Sequence, residues 1–301
     1  MTDPGRRQPD AATSPRVLFA GRTTLDVVYS LDHFPSEDTK IFARAIHVAP
    51  GGPATNAAIT HALLGGKAVL MTAIGGGPWA APVRDQLQRL GIELIDLAAG
   101  TSYETPLTTV MVNEAQATRT IVNPPRQELP ISRPDVWDSV WGEAPRTVLT
   151  DGFHAAETLA LLRACRANGA LICLDGGSWK AGTEELARLL SVAICSERFT
   201  VPGRSSDPDT TIGWFADKGA AHIAVTRGPK PILAWDRGRR FEIPITKIDA
   251  VDTTGAGDVL HGAFCHHFAR CSDFEPALRF AAAIATRSCR QIGIRGWAND
   301  Q

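Results

Sequence analysis

Ala250-Val251-Asp252-Thr253-Thr254-Gly255-Ala256-Gly257-Asp258, followed without a break by Val259-Leu260-His261-Gly262-Ala263-Phe264, is the stretch that decides the fold. Two glycines flanking one small residue let the backbone bend tightly and turn its N–H groups to one side. An apolar run of helical length begins at once. The loop therefore ends where a helix starts, and free amides at a helix N-terminus form a site for an anion. Asp258 stands at that boundary. A carboxylate beside a cradle for negative charge suits a group that takes a proton while an anion is held nearby. The same residues also read as a helix N-cap and an ordinary glycine turn, the commoner use of Asp after Gly. Two other glycine motifs are excluded. A dinucleotide fingerprint needs a third glycine where Leu260 stands, and a phosphate loop of the Walker type needs Gly-Lys before Ser or Thr, whereas Gly66-Lys67 precedes Ala68.

The stretch resembles the DTxGAGD signature of the ribokinase-like (PfkB) carbohydrate kinases, which Asp252 to Asp258 match residue for residue. The resemblance implies that Asp258 deprotonates a sugar hydroxyl and that the amides of Gly255, Ala256 and Gly257 stabilise the phosphoryl group in flight. ATP and Mg²⁺ are then the implied cofactors.

Composition fits such a protein and excludes others. With 301 residues and 44% hydrophobic content, the chain is long enough for a large α/β domain. Lys+Arg 31 against Asp+Glu 32 gives a net charge of -1, so no basic footprint for nucleic acid is present. No apolar run approaches transmembrane length. Residues 1–15 are polar, rich in Pro, Asp and Arg, without the apolar core of a signal peptide, and read as a disordered lead-in. Residues 297–301 read as a tail. The six cysteines form no CxxC pair, which suits reduced thiols in a cytoplasmic protein. His261, His266 and His267 lack the i, i+4 spacing of a helical metal pair.

Arg16–Gly21 reads as a buried strand and Leu25–Tyr29 as an extended continuation. Asp26 stands there between apolar neighbours. It either caps a turn or offers two acceptors to two sugar hydroxyls, the role the resemblance implies. Residues 31–50 are extended, with alternation over Lys40–Val48, and suggest a short protruding sheet. Pro50-Gly51-Gly52-Pro53-Ala54-Thr55-Asn56 opens a helix and matches the family's Gly-Gly-x-x-x-Asn pattern. Glycines there let backbone approach a ligand, and Asn56 can both donate and accept. Leu107–Asn113 and Thr118–Val122 alternate like a hairpin. The resemblance implies that strands from about 28–50 and 105–124 form a lid over the sugar and a homodimer contact.

From Arg146 onward, strands at 147–150, 170–174, 192–195 and 222–226 alternate with helices at 155–167, 183–190 and 211–218, and Phe274–Gln291 is a closing helix. That rhythm predicts a doubly wound, mostly parallel α/β sheet with ligands outside the strands' carboxyl ends. Asp151, Asp175, Glu197 and Thr226 all stand at such ends. By resemblance, Thr226 and Gly228 meet the nucleotide phosphates, Ser288 and Cys289 lie where adenine rests, and Asp252 and Thr254 match positions that bind K⁺ in some members. The Asn-x-x-Glu motif that organises Mg²⁺ in many members reads Ser196-Glu197-Arg198-Phe199 here. Glu197 and Asp175 are then the carboxylates for the metal's water shell, and Lys180 a group for the γ-phosphate. An exposed Lys and a strand-end Asp are the alternatives.

Pro35-Ser36-Glu37-Asp38 and Ser196-Glu197 look most like the ketohexokinase and sulfofructose kinase branches, which points to a ketose or modified ketose. Ribose, a nucleoside and a phosphorylated sugar are the other acceptors; the last calls for a basic cluster, with Arg119 or Arg126 on the hairpin as its source. The altered metal motif also admits a nucleotide- or sugar-sensing protein with weakened catalysis.

Overall fold

The computed structural model describes residues 16–116, 118–125, 127–129 and 144–300. The lead-in of residues 1–15 and Arg126 lie outside the described residues. In chain order the elements are β1 (Arg16–Ala20), β2 (Thr24–Leu31), β3 (Ala45–Gly51), α1 (Pro53–Leu63), β4 (Lys67–Thr72), α2 (Ala80–Arg89) and β5 (Glu93–Asp96). The lid hairpin is β6 (Leu107–Asn113) and β7 (Thr118–Val122). Then follow β8 (Thr147–Thr150), α3 (Ala155–Ala167), β9 (Leu171–Gly176), α4 (Thr183–Ala187), β10 (Val192–Ser196), α5 (Pro208–Asp217) and β11 (His222–Arg227). The chain closes with β12 (Lys230–Asp236), β13 (Arg239–Ile243), α6 (Ala256–Cys271), α7 (Phe274–Ser288) and a 3₁₀ turn over Gly296–Asp300.

Nine strands form one sheet in the order β13-β12-β11-β10-β9-β8-β1-β4-β5. All pair in parallel except β12 and β13, which return as antiparallel hairpin strands. The strands are apolar on both faces because helices cover both. In β1, Val17 and Phe19 pack with α1, α2, α6 and α7, while Leu18 packs with α3, α4 and α5. The expected doubly wound architecture is what these residues build.

A second sheet, β3-β2-β6-β7, stands off the main one; β2 pairs antiparallel with β3 but parallel with β6. It is built from the two stretches, 28–50 and 105–124, where a small separate sheet is expected. Alternation over 40–44 does not become strand: β3 begins at Ala45, and Phe42 is 94% exposed. The closing helix stops at Ser288 rather than Gln291. The expected 297–301 tail begins instead with a core residue. Trp297 is fully buried, and its indole N–H donates to Ile294 O at 2.7 Å.

Candidate active site

The carboxyl ends of β1, β8, β9 and β10 face the N-terminus of α6, and the site is built between them. Gly255 caps α6 with φ 69, a conformation that favours glycine, and a Cβ there would sit 2.3 Å from Ile294 Cγ2. Asp252 holds the loop's shape. Its Oδ1 accepts from Thr254 N (2.7 Å) and its Oδ2 from Gly293 N (2.9 Å). The Cys289 carbonyl accepts the amides of Val251 and Asp252. Within the loop Ala256 N–H donates to Thr253 O at 3.3 Å, and a helix N-terminus at this place favours an anion.

Gly262, one turn beyond Asp258, lets α6 cross α1 closely; a Cβ there would lie 2.3 Å from Ala57 O. That crossing brings Asn56 to Asp258. Asn56 Nδ2 donates to Asp258 Oδ2 at 2.7 Å, and Asn56 Oδ1 is buried without a partner among the described residues. Burial and the nearby Asp175 charge push the Asp258 carboxyl up to about 7, with Asp26 adding to the rise; Asn56 and His261 oppose it. A carboxyl poised there is matched to general-base work at neutral pH. The N-cap alternative fails, since no side-chain cap hydrogen bond forms and Gly255 is the cap residue.

Asp26 lies in β2 opposite β3, where its Oδ1 accepts from Thr24 Oγ1 at 2.6 Å. A Cβ on Gly51 would fall 1.9 Å from Asp26 Oδ2, so only glycine admits the carboxylate there. Gly52, at φ 97, packs on the Arg22 carbonyl. Burial raises the Asp26 carboxyl above its ordinary range. Asp26, Gly51, Gly52, Asn56 and Asp258 therefore meet in one place, from stretches more than 200 residues apart.

Asp151 has a role the sequence did not signal beyond its place at a strand end. Its Oδ2 accepts from Arg22 N (2.9 Å) and Ala54 N (3.1 Å), and its Oδ1 from Phe153 N (2.9 Å). It ties the loop after β1, the start of α1 and the loop after β8 into one frame. Burial lifts its carboxyl to about 6.

Around this centre the other expected residues divide. Arg119 on β7 donates from Nη1 to Thr253 O (3.1 Å) and Thr253 Oγ1 (3.0 Å), so the lid touches the signature loop. Asp175 is buried, with Oδ2 3.4 Å from His261 Nδ1. Both His261 ring nitrogens face backbone carbonyls, Gly257 O at 2.7 Å and Ile194 O at 3.1 Å. Glu197 faces solvent, 3.8 Å from Lys230 Nζ. Phe199, standing where many kinases of the resembled family carry Glu, is core, packed on Trp179 and Phe215. Lys180 is buried rather than exposed. Thr226 Oγ1 donates to Cys195 O, and Gly228 takes a left-handed turn at φ 59. Ser288 Oγ and Cys289 Sγ both donate back to Ala285 O within α7 and its end. Among the described residues no group of three or more His, Cys, Asp or Glu could hold a metal by itself.

The sequence profile of the pfkB family carbohydrate kinases matches residues 14–299. The chain is 22% identical to a ribokinase of Lactococcus lactis, over 93% of both proteins. It is 23% identical to the ketohexokinase of Mus musculus, over 93% of this chain and 98% of that one. The structure of Arabidopsis thaliana ribokinase complexed with ribose and ATP superimposes with a TM-score of 0.74 at 20% identity, covering 93% of this chain and 94% of that one. A buried carboxyl paired with an amide, a glycine loop opening a helix and a ribokinase-like fold thus coincide with a match along nearly the whole chain, and the protein belongs to the pfkB family of carbohydrate kinases, enzymes that transfer phosphate to a sugar hydroxyl.

Proposed function

We propose that this kinase transfers the γ-phosphoryl group of ATP to a primary hydroxyl of a small sugar, with Asp258 as general base. The observation that carries the reading is the 2.7 Å contact from Asn56 to Asp258 beneath the first turn of α6, with the carboxyl pushed to about 7. The acceptor oxygen bonds to the γ-phosphorus as its proton passes to Asp258, and the bond to the bridging oxygen of ADP breaks. Positioning and charge stabilisation dominate such transfers. Asp26 and Asn56 hold the acceptor's hydroxyls, and the amides of Gly255 and Gly257 meet the charge on the moving group, joined by Ala256 N–H once it leaves Thr253 O. Thr226 and Gly228 line the phosphate path, and Ser288 and Cys289 border the adenine. Mg²⁺ accompanies the nucleotide and neutralises phosphate charge when bound. Glu197, the solvent-facing carboxylate at a strand end, would meet its water shell; Asp175 is turned to His261. Asp252 keeps a free lone pair on each oxygen, which suits K⁺ beside Thr254.

For the acceptor we take a ketose or modified ketose, supported by the Pro35–Asp38 and Ser196-Glu197 stretches and by the mouse ketohexokinase likeness. Ribose is the competitor, since ribokinases stand among the relatives. The lid exposes Phe42, Ile46, Ile121 and Val122, a surface suited to a second copy of the chain. Reduced cysteines favour the cytoplasm.

Coupled ADP-release assays against ketoses, aldoses and nucleosides test the reading. Turnover of a ketose above ribose supports it. Binding of sugar and nucleotide without turnover would make the protein a sensor instead.

A further inference from the structure

Two cations converge on one aromatic ring beside the acceptor cradle. The guanidinium carbon of Arg22 lies 5.1 Å from the Phe153 ring centroid, and Lys180 Nζ lies 4.8 Å from it. Both side chains are rooted in fixed backbone. Arg22 N–H donates to Asp151, and its carbonyl accepts from Thr55 Oγ1 at 3.1 Å. Lys180 packs its stem against Gly152, donates from its backbone to Thr183 Oγ1 and from Nζ to Ser178 O (3.2 Å), and is only 9% exposed.

Asp26 is bonded to Thr24 and Asp151 accepts three amides, while Asp175 Oδ2 lies 3.4 Å from His261 Nδ1 and makes no hydrogen bond among the described residues. Among the described residues neither cation has a carboxylate in a salt bridge. Contact with a ring face holds a guanidinium or ammonium in place while leaving N–H donors free. Lys180 favours the ionised form of Asp151 from beyond salt-bridge distance, and Arg22 and Lys180 together bring two positive charges to this one carboxylate's surroundings. The charge is also felt at the acceptor: Arg22 opposes the burial-driven rise of the Asp26 carboxyl. Of the two hairpin arginines expected to meet a phosphosugar, Arg119 donates to Thr253 instead, and Arg126 lies outside the described residues.

We propose that the acceptor carries an anionic group, a phosphate, sulfonate or carboxylate, held by Arg22 and Lys180 beside Phe153 while Asp26 and Asn56 take its hydroxyls. This rests on the sugar-kinase reading above. Arg is the fitting residue because its planar fork meets two oxygens of an oxyanion at once, and Lys adds a point charge.

Isothermal titration with a nonhydrolysable ATP analogue present compares fructose 6-phosphate, a C6-sulfonated ketose and gluconate with fructose and ribose, alongside ADP release. One anionic probe is expected to bind about tenfold or more tighter than the neutral sugars. Arg22→Gln and Lys180→Met are each expected to cut that ratio by about tenfold, with Arg22→Lys retaining part of it. Neutral sugars binding as tightly as every anionic probe to the unsubstituted protein overturn the proposal, whatever the variants do. So does a loss of ATP-analogue affinity in the variants with the ratio unchanged, which would assign both cations to the donor. Selective anion binding without ADP release would sink the kinase reading and leave this one standing.

Discussion

Asn56 Nδ2 donates to Asp258 Oδ2 at 2.7 Å, joining the helix opened by the diglycine to the helix opened by the signature loop. The amide lowers the cost of ionising a buried carboxyl, and its free Oδ1 can accept from the hydroxyl whose neighbour loses a proton. Replacing Asn56 by Leu removes the donor. The Asp258 carboxyl then rises further, so the acidic limb of the kcat/KM profile moves to higher pH and acceptor KM increases. A profile unmoved by Asn56→Leu would separate the two residues functionally.

Asp258→Asn removes the proton acceptor while preserving shape. Turnover is expected to fall by about 10²–10⁴-fold, with ATP binding retained in a titration. Near-normal turnover would remove Asp258 as the base.

The same carboxyl predicts opposite pH trends for activity and stability. The base works only when ionised, so kcat/KM falls about tenfold per pH unit below about 7. Its folded pKa lies above the unfolded value of 3.8. The folded protein therefore binds more protons between those values, and the stability this proton supplies is present below 3.8 and lost as pH rises through about 7. Asp258→Asn is expected to raise Tm at pH 8 relative to the parent and to change it little near pH 4. An equal shift at both pH values would contradict the linkage.

Much of this was legible from residues alone, and the reasons differ by element. The strand at 147–150 and the helix at 155–167 fall where their apolar periods place them. α5 starts three residues before its apolar period suggests, because Asp207-Pro208 supplies a cap and an N1 proline; Asp207 accepts from Asp209 N and Thr210 N. Asp26, Asn56 and Asp258 were readable because glycine motifs flag close backbone approach. Asp151, Arg22 and Phe153 sit in short loops with no periodicity, and only tertiary pairing reveals what they hold. Trp297 was unreadable for the same reason: nothing local marks a five-residue terminal turn as buried.

Asp151→Asn tests the frame around the cradle. The carboxylate accepts three amides, and an asparagine must point a donor at one or more of them. A buried donor facing a donor costs about 1–3 kcal/mol. Acceptor KM is expected to rise along with a lower Tm, because Arg22 and Ala54 flank Gly51 and Gly52. A lower Tm with KM unchanged would restrict Asp151 to stability.

Gly51→Ala acts on the cradle directly. The new methyl would lie 1.9 Å from Asp26 Oδ2, so the carboxylate must leave its place. Overpacking of this kind costs about 1–3 kcal/mol, and the larger effect is expected on acceptor KM rather than on ATP affinity. If acceptor KM is unchanged, Asp26 does not hold the sugar.

Trp297→Ala reaches the active site from the far end of the chain. The indole is fully buried and donates to Ile294 O, and Ile294 Cγ2 packs where a Gly255 Cβ would sit. Gly293, next to Ile294, donates its N–H to Asp252 Oδ2. Removing the indole costs about 3–5 kcal/mol of stability by loss of buried area and the cavity left behind. It also frees the 293–294 segment that braces Asp252 and Gly255, so the anion cradle loses its back wall. Turnover is expected to fall more than the folded fraction does, read by comparing kcat with native protein from an unfolding curve at the same temperature. If activity tracks the folded fraction alone, the terminal turn stabilises the fold and takes no part in shaping the loop.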